Sequence, residues 1–393
     1  MALKNKISTF FLILNSVLAS ATDYYVSSTG NDFSNGLSES TPWKTISKLN
    51  SALSGMKPGD RILFKRGDVF YGSLNITCSG TKTNPIVFGA YGTGANPVIT
   101  GFRTVSSWTY VKPGIYRSTQ SFSSPVNLVA LNGSPQTFGK YPNTGYMTFE
   151  SHVSNKSITD YQLTDTPNWS GAEIVLKHNP YSIYRNKITN HQAHTITFTP
   201  TFSGELRNGY GYFIQNSLET LDSFGEWYHD GIYLYMFFGD KDPDSYTVQA
   251  STIDRLVYIY GINYVTIENI TFQGANVAAI RASKYNNIRI QHCNIEYSGR
   301  NAITFVDNVY TSYFLYIDNC IINHTLDCAI NLNGNCTSSI ITNNTILNSG
   351  LFPGMGRGLF GAIYSIGPKG RYEYNIIENT GRNGIWFHGD SSL

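Results

Sequence analysis

From residue 263 onward, short segments of alternating apolar and polar positions return at a near-constant interval. VTIEN (265–269), IRIQH (288–292), LYIDN (315–319) and IITNN (340–344) form one series, and RYEYN (371–375) follows after a longer gap. A second series runs in step with the first: Ala279-Ile280, Ala302-Ile303, Ala329-Ile330, Ala362-Ile363 and Gly384-Ile385, separated by 23, 27, 33 and 22 residues. A period in the low twenties with two or three short strands per repeat predicts a β-solenoid, because one such coil buries its apolar side only by stacking on the next. Alternation assigns the faces: Ile303 and Phe305, Ile330 and Leu332, Ile385 and Phe387 point inward, and Thr304, Asn331 and Trp386 point outward. Asn269, Asn319 and Asn343 recur at one turn position, with His292 in their place in one coil, and read as a structural ladder of amides.

The same period occurs earlier. Ile62-Leu63-Phe64 and Ile86-Val87-Phe88 lie 24 apart, and Pro97-Val98-Ile99 opens another strand. Ahead of them, Thr41-Pro42-Trp43 predicts a helix start with proline in the first turn, and Trp43, Ile46, Leu49 and Leu53 would lay one apolar face over the open end of the first coil. Residues 102–250 break the period, carry three of the five Trp and read as an inserted antiparallel, sandwich-like β domain. The expected organisation is a leader over 1–21, a cap and first coils over 22–101, the insert over 102–250 and the main coils over 251–393. No second cap is visible near Phe387-His388-Gly389-Asp390, which points to a truncated end or one closed by a partner.

Composition narrows the function. Tyr 28, Phe 22 and Trp 5 stand beside only 14% charged residues and a net charge of +2, so no basic stripe offers itself to a nucleic acid. Lys4 and Lys6 precede an apolar run from Phe10 to Leu18, and Ala19-Ser20-Ala21 supplies small residues for cleavage, so a secreted protein without a membrane span is expected. The five cysteines follow no metal-ligand spacing. No cofactor is expected, and calcium is not indicated.

Tyr24-Tyr25-Val26-Ser27 with Gly30-Asn31-Asp32, then Lys57-Pro58-Gly59-Asp60 and Gly67-Asp68, resembles the N-terminal end of secreted right-handed parallel β-helix proteins of the pectate-lyase-like superfamily. Ala130-Leu131-Asn132-Gly133 with Lys140-Tyr141-Pro142-Asn143, and Leu218-Glu219-Thr220-Leu221-Asp222 with Gly225-Glu226-Trp227-Tyr228, are similar to β-helical glycoside hydrolases that carry an inserted β domain. The resemblance implies an all-β right-handed parallel β-helix with an N-terminal capping helix and a carbohydrate-active function, with Glu226 marking the inserted fold rather than chemistry. Asp327-Cys328-Ala329-Ile330 is similar to the aspartate strand of polygalacturonases. Arg300-Asn301 stands in the coil before it where that family has a further acid, and the Gly-His-Gly segment is absent.

The register aligns Arg300, Asp327 and Arg382 just before three strands and sets Thr304, Asn331, Tyr364 and Trp386 along one outward face. Such a groove suits a polysaccharide or oligosaccharide: rings stack on Tyr364 or Trp386, the Asn331 amide bonds hydroxyls, and Arg300 or Arg382 pairs with hydroxyls or carboxylates. Arg357, in the Gly350–Gly361 loop, could fold over it, and His388 could bind substrate. Glycoside hydrolysis needs two carboxyls. Asp327 with Glu296, one coil earlier, is the expected acid and base pair, whereas Glu268 and Asp318 read as a solvated face. A glycoside hydrolase acting on a plant or algal polysaccharide is the first reading. A polysaccharide lyase using Arg and a base on uronates, and a non-catalytic glycan-binding or surface β-helix, are the alternatives.

Overall fold

A computed structural model describes residues 21–179, 182–356, 358, 360–366 and 370–388, without the side chains of 307–310 and 335. The expected leader up to residue 20, Arg357 and Asp390 therefore lie outside the described residues. The chain winds into parallel coils with three faces. The first face stacks Asp23–Val26, Arg61–Lys65, Ile86–Tyr91, Asn263–Glu268, Asn286–Gln291, the far half of Asn301–Asp318, Ser339–Thr342 and Gly370–Glu373. The second stacks Val69–Tyr71, Val98–Thr100, the near half of Thr271–Ser283, Asn294–Ser298, Ile321–Thr325, Thr345–Ser349 and Ile376–Thr380. The third stacks Leu74–Ile76, Ile253–Tyr260, the far half of Thr271–Ser283, the near half of Asn301–Asp318, Ile330–Thr337, Ile363–Ile366 and Ile385–His388.

Each inward position meets its equivalent one coil away. Val257, Ile280, Ile303, Ile330 and Ile363 form one such ladder in a single continuous core. Burying each aliphatic side chain there contributes about 1.5–3 kcal/mol. The corners explain the recurring asparagines: Asn269, His292, Asn319, Asn343 and Tyr374 all adopt left-handed backbone, with φ between 50° and 57°, a conformation that asparagine tolerates better than most residues. The bonded amide ladder sits one residue further on. Asn344 donates to the Ile317 carbonyl at 3.0 Å and to Asn375 Oδ1 at 2.9 Å, and its Oδ1 accepts from Cys320 N at 2.9 Å. Cys293 and Cys320, which also follow the left-handed turn residue, are buried, and no disulfide forms among the described cysteines.

The one α-helix among the described residues, Ile46–Ala52, begins later than Thr41-Pro42 suggests. Asp32 accepts hydrogen bonds from Lys44 N, Thr45 N and Thr45 Oγ1, and Thr45 Oγ1 caps Lys48 N at 3.0 Å. Trp43 is held extended by backbone bonds to Tyr25 and Ser27, which moves the helix start past it. The apolar face still closes the first coil: Trp43, Ile46, Leu49 and Leu53 are buried, and the Asn50 amide donates to the Ser73 carbonyl at 2.8 Å.

Residues between Val98–Thr100 on the second face and Ile253–Tyr260 on the third leave the coil at the corner between these faces. They form three antiparallel sheets. Two four-stranded sheets share one core with Leu326 and Met355 of the solenoid, and a larger sheet has a core of its own around Trp169 and Tyr212. Docking is specific. Asn276 bonds Asn127 N, Pro125 O and Ser251 Oγ, and Tyr297 Oη donates to Gly133 O at 2.5 Å. The loop between Gly350 and Gly361 enters the same interface. Gln215 Nε2 donates to Gly354 O at 2.8 Å and Arg185 Nη1 to Met355 O at 2.9 Å, while Glu173 holds Arg185 through two bonds of 2.9 Å. Burial raises the Glu173 carboxyl, but the Arg185 charge and hydrogen bonds from Arg185, Gln215 and Asn216 outweigh it and hold the group below the usual range.

Two predictions follow from these contacts. Asn344→Ala leaves buried backbone groups unbonded and should lower stability in urea by about 2–4 kcal/mol, against about 1 kcal/mol for Asn343→Ala on the exposed side of the corner; equal losses contradict the ladder. Glu173 has a depressed folded pKa, so its contribution is present above the ordinary carboxylate range and is lost as pH falls through the folded value. Glu173→Gln should therefore lower stability at pH 7 by about 3 kcal/mol, flatten the acid limb of the stability profile and open the 350–361 loop to limited proteolysis.

Candidate active site

The corner between the second and third faces gathers most of the singled-out side chains. Asp327 lies at its floor with only 1% of its side chain exposed, and Arg300 of the preceding coil is 34% exposed. Arg300 Nη2 stands 3.9 Å from Asp327 Oδ2, and Phe360 N, one coil on, donates to Asp327 Oδ1 at 3.1 Å. The backbones are tied as well, Asp327 N donating to Arg300 O at 3.0 Å. One carboxylate thus links three successive coils, and the loop it holds through Phe360 is the one clamped by Arg185 and Gln215.

Above this floor, the third face carries an outward ladder in register: Tyr258, Arg281, Thr304, Asn331, Tyr364 and Trp386. Thr304 and Asn331 are buried between their long neighbours, and Asn331 Oδ1 has no hydrogen-bond partner among the described residues. The Tyr364 and Trp386 rings meet edge to face at 5.1 Å, and the Arg382 guanidinium lies 4.7 Å from the Trp386 centroid. His388 follows Trp386 two residues on, exposed on the same side of its strand. Arg382 also joins Gly350, Pro353, Phe360 and Gly381 in a cleft of about 270 Å³ whose opposite wall is Tyr146, Lys177, Ser182 and Ile183 of the insert.

The structure places Glu296 on the second face and Asp327 at the corner that follows that face one coil on. Glu296 lies on the second face, in register with Gln273 and Asn323, and accepts from Gln273 Nε2 at 3.4 Å. Tyr297, Gly299 and Leu326, which touch the insert, fall between its position and that of Asp327. Asp318 accepts from Asn319, Thr342 and Asn343, so it belongs to its corner. Glu226 accepts from Asp222 N and Ser223 N at 3.0 Å, a structural turn inside the insert. Among the described residues no cluster of His, Cys, Asp and Glu could hold a metal ion, and no helix is long and apolar enough to cross a membrane.

Several contributors lie beyond the sequence reading. Phe360, Lys177, Tyr146 and the Glu173–Arg185–Gln215 clamp reach the site through tertiary contacts with no local signature. Arg281 did have one, because it follows Ala279-Ile280 as Thr304 follows Ala302-Ile303.

Residues 240–393 match the family described as right handed beta helix region. A stretch of 174 residues is 30% identical to a lacto-N-biosidase of Bifidobacterium longum subsp. longum, covering 40% of this chain and 10% of that protein. Thus the match spans about a tenth of that relative's length. A solved structure titled glycoside hydrolase superposes with a TM-score of 0.63 at 12% identity, covering 94% of this chain and 96% of its own. A lacto-N-biosidase from Eubacterium ramulus superposes with a TM-score of 0.33 at 15% identity, covering 90% of this chain and 36% of its own. With its coil register and its antiparallel insert, the chain is a right-handed parallel β-helix protein, and glycoside hydrolases are among the proteins it resembles.

Proposed function

We propose that the protein is an exported glycoside hydrolase that holds a glycan chain along the third face and cleaves it at the corner beside the insert. The observation that carries this reading is the outward row of Asn331, Tyr364 and Trp386, with Arg382 against the Trp386 ring, on the coils that Asp327 ties together beside Arg300. Aromatic faces beside guanidinium and amide donors suit sugar rings and their hydroxyls. The stretch of identity with a lacto-N-biosidase supports the reaction class, and the apolar segment ahead of Ala19-Ser20-Ala21 supports export.

In this mechanism a sugar ring stacks on Trp386, Arg382 and Asn331 orient its hydroxyls, and Asp327 supplies one of the two carboxyls that hydrolysis requires. Arg300 and the Phe360 N–H fix the Asp327 carboxylate in place. The near-complete burial of Asp327 favours a second reading, in which that carboxylate serves only the fold and the face binds glycan without turnover.

Asp327→Asn separates the two, because the amide oxygen keeps the bond from Phe360 N. Incubated with plant, algal and host-type oligosaccharides, the variant, confirmed folded by circular dichroism, should release reducing ends at least 100-fold more slowly than the parent. Parent-like rates would remove Asp327 from catalysis, binding without release in the parent itself would establish the second reading, and unsaturated products would indicate a lyase. Trp386→Ala should raise KM about tenfold with a smaller effect on kcat.

A further inference from the structure

The outward ladder continues beyond the proposed cleavage corner, toward the first coils, into a second cleft of about 310 Å³. Ser73, Asn75, Ile253, Asp254, Arg255 and Tyr258 line it. Asn75 and Tyr258 are in register, and Arg281 stands beside Tyr258 one coil on. Five ladder steps separate Tyr258 from Trp386, roughly 24 Å at the usual strand spacing, so an extended oligosaccharide can occupy both ends at once.

The polar groups at this end lack a counterpart. Arg255 Nε and Arg281 Nε are each buried without a hydrogen-bond partner among the described residues, and neither guanidinium is ion-paired to a described carboxylate. Asp254, the acid nearest in sequence and also in the cleft wall, accepts from the Asn276 amide at 2.9 Å. The Arg255 guanidinium instead lies 5.2 Å from the centroid of the Tyr258 ring. Both arginines are half-buried, and a buried N–H without an acceptor is unfavourable. One guanidinium against the Tyr258 ring and a second one coil on from Tyr258 match a sugar ring bearing a carboxylate, which an arginine binds through two parallel hydrogen bonds.

We propose that Arg255, Arg281 and Tyr258 form a subsite for a carboxylate-bearing sugar, remote from the cleavage corner. The inference rests on the proposed glycan-binding face and names the substrate class that face selects: an acidic oligosaccharide whose charged residue lies several units from the scissile bond.

Calorimetric titration of the whole protein with uronate-containing and sialylated oligosaccharides, and with the same compounds after reduction of their carboxyls, tests it. At least one acidic compound should bind ten or more times tighter than its neutral form. Arg255→Gln with Arg281→Gln should abolish that ratio, Arg281→Lys, which keeps charge and bulk, should reduce it in part, and Trp386→Ala should weaken both forms while preserving it. Equal affinity for acidic and neutral forms, a ratio unchanged in the double variant, tighter binding of sulfated than of carboxylated oligosaccharides, or no binding of any acidic compound would overturn the subsite. Cleavage of neutral glycans by the parent in any of those cases leaves the hydrolase reading standing, so the two failures are distinct.

Discussion

A single coil of this protein has no interior, and everything else follows from that constraint. Its inward aliphatic side chains leave water only when the next coil is laid on top in register, so Ile280, Ile303, Ile330 and Ile363 must align. Once they do, the residues between them are forced into equally regular outward rows. The row of Tyr258, Arg281, Thr304, Asn331, Tyr364 and Trp386 is therefore a by-product of core packing that becomes available for binding. The corners obey the same register: left-handed residues turn at His292, Asn319, Asn343 and Tyr374, and the position after each is a thiol or amide, Cys293, Cys320, Asn344 or Asn375, that bonds to a neighbouring coil.

The insert converts a uniform surface into a specific place. It leaves and rejoins the coil at the corner between the second and third faces, so it stands beside the outward row. The Gly350–Gly361 loop then joins both bodies. Its Gly354 and Met355 carbonyls are held by Gln215 and Arg185 of the insert, and its Phe360 N–H is held by Asp327 of the solenoid. Asp327 thus stands where insert, loop and coils meet, and the same position serves the fold and the proposed chemistry.

Period, faces and register were legible in the sequence because strand alternation and the Ala-Ile repeats report them directly. Other features were legible only in part. The repeated corner asparagines were visible, but the bonded ladder is one residue further on, where Cys293, Cys320, Asn344 and Asn375 share no residue type that would advertise a common place. The cap helix was recognisable by its apolar face, yet its start depends on Asp32 and on Trp43 pairing with the first strand. The contacts of the insert with Tyr297 and Gly299, between the Glu296 and Asp327 positions, have a tertiary cause, since no local pattern says where a distant domain will dock. The Arg185 clamp is invisible for the same cause: it joins positions 170 apart.

A crystal structure of the Asp327→Asn protein with a bound oligosaccharide tests the account most directly. The account predicts continuous sugar density along the outward row from Tyr258 to Trp386, passing the corner of Arg300 and residue 327. Density confined to the first or second face, or to the outer surface of the insert, would contradict it.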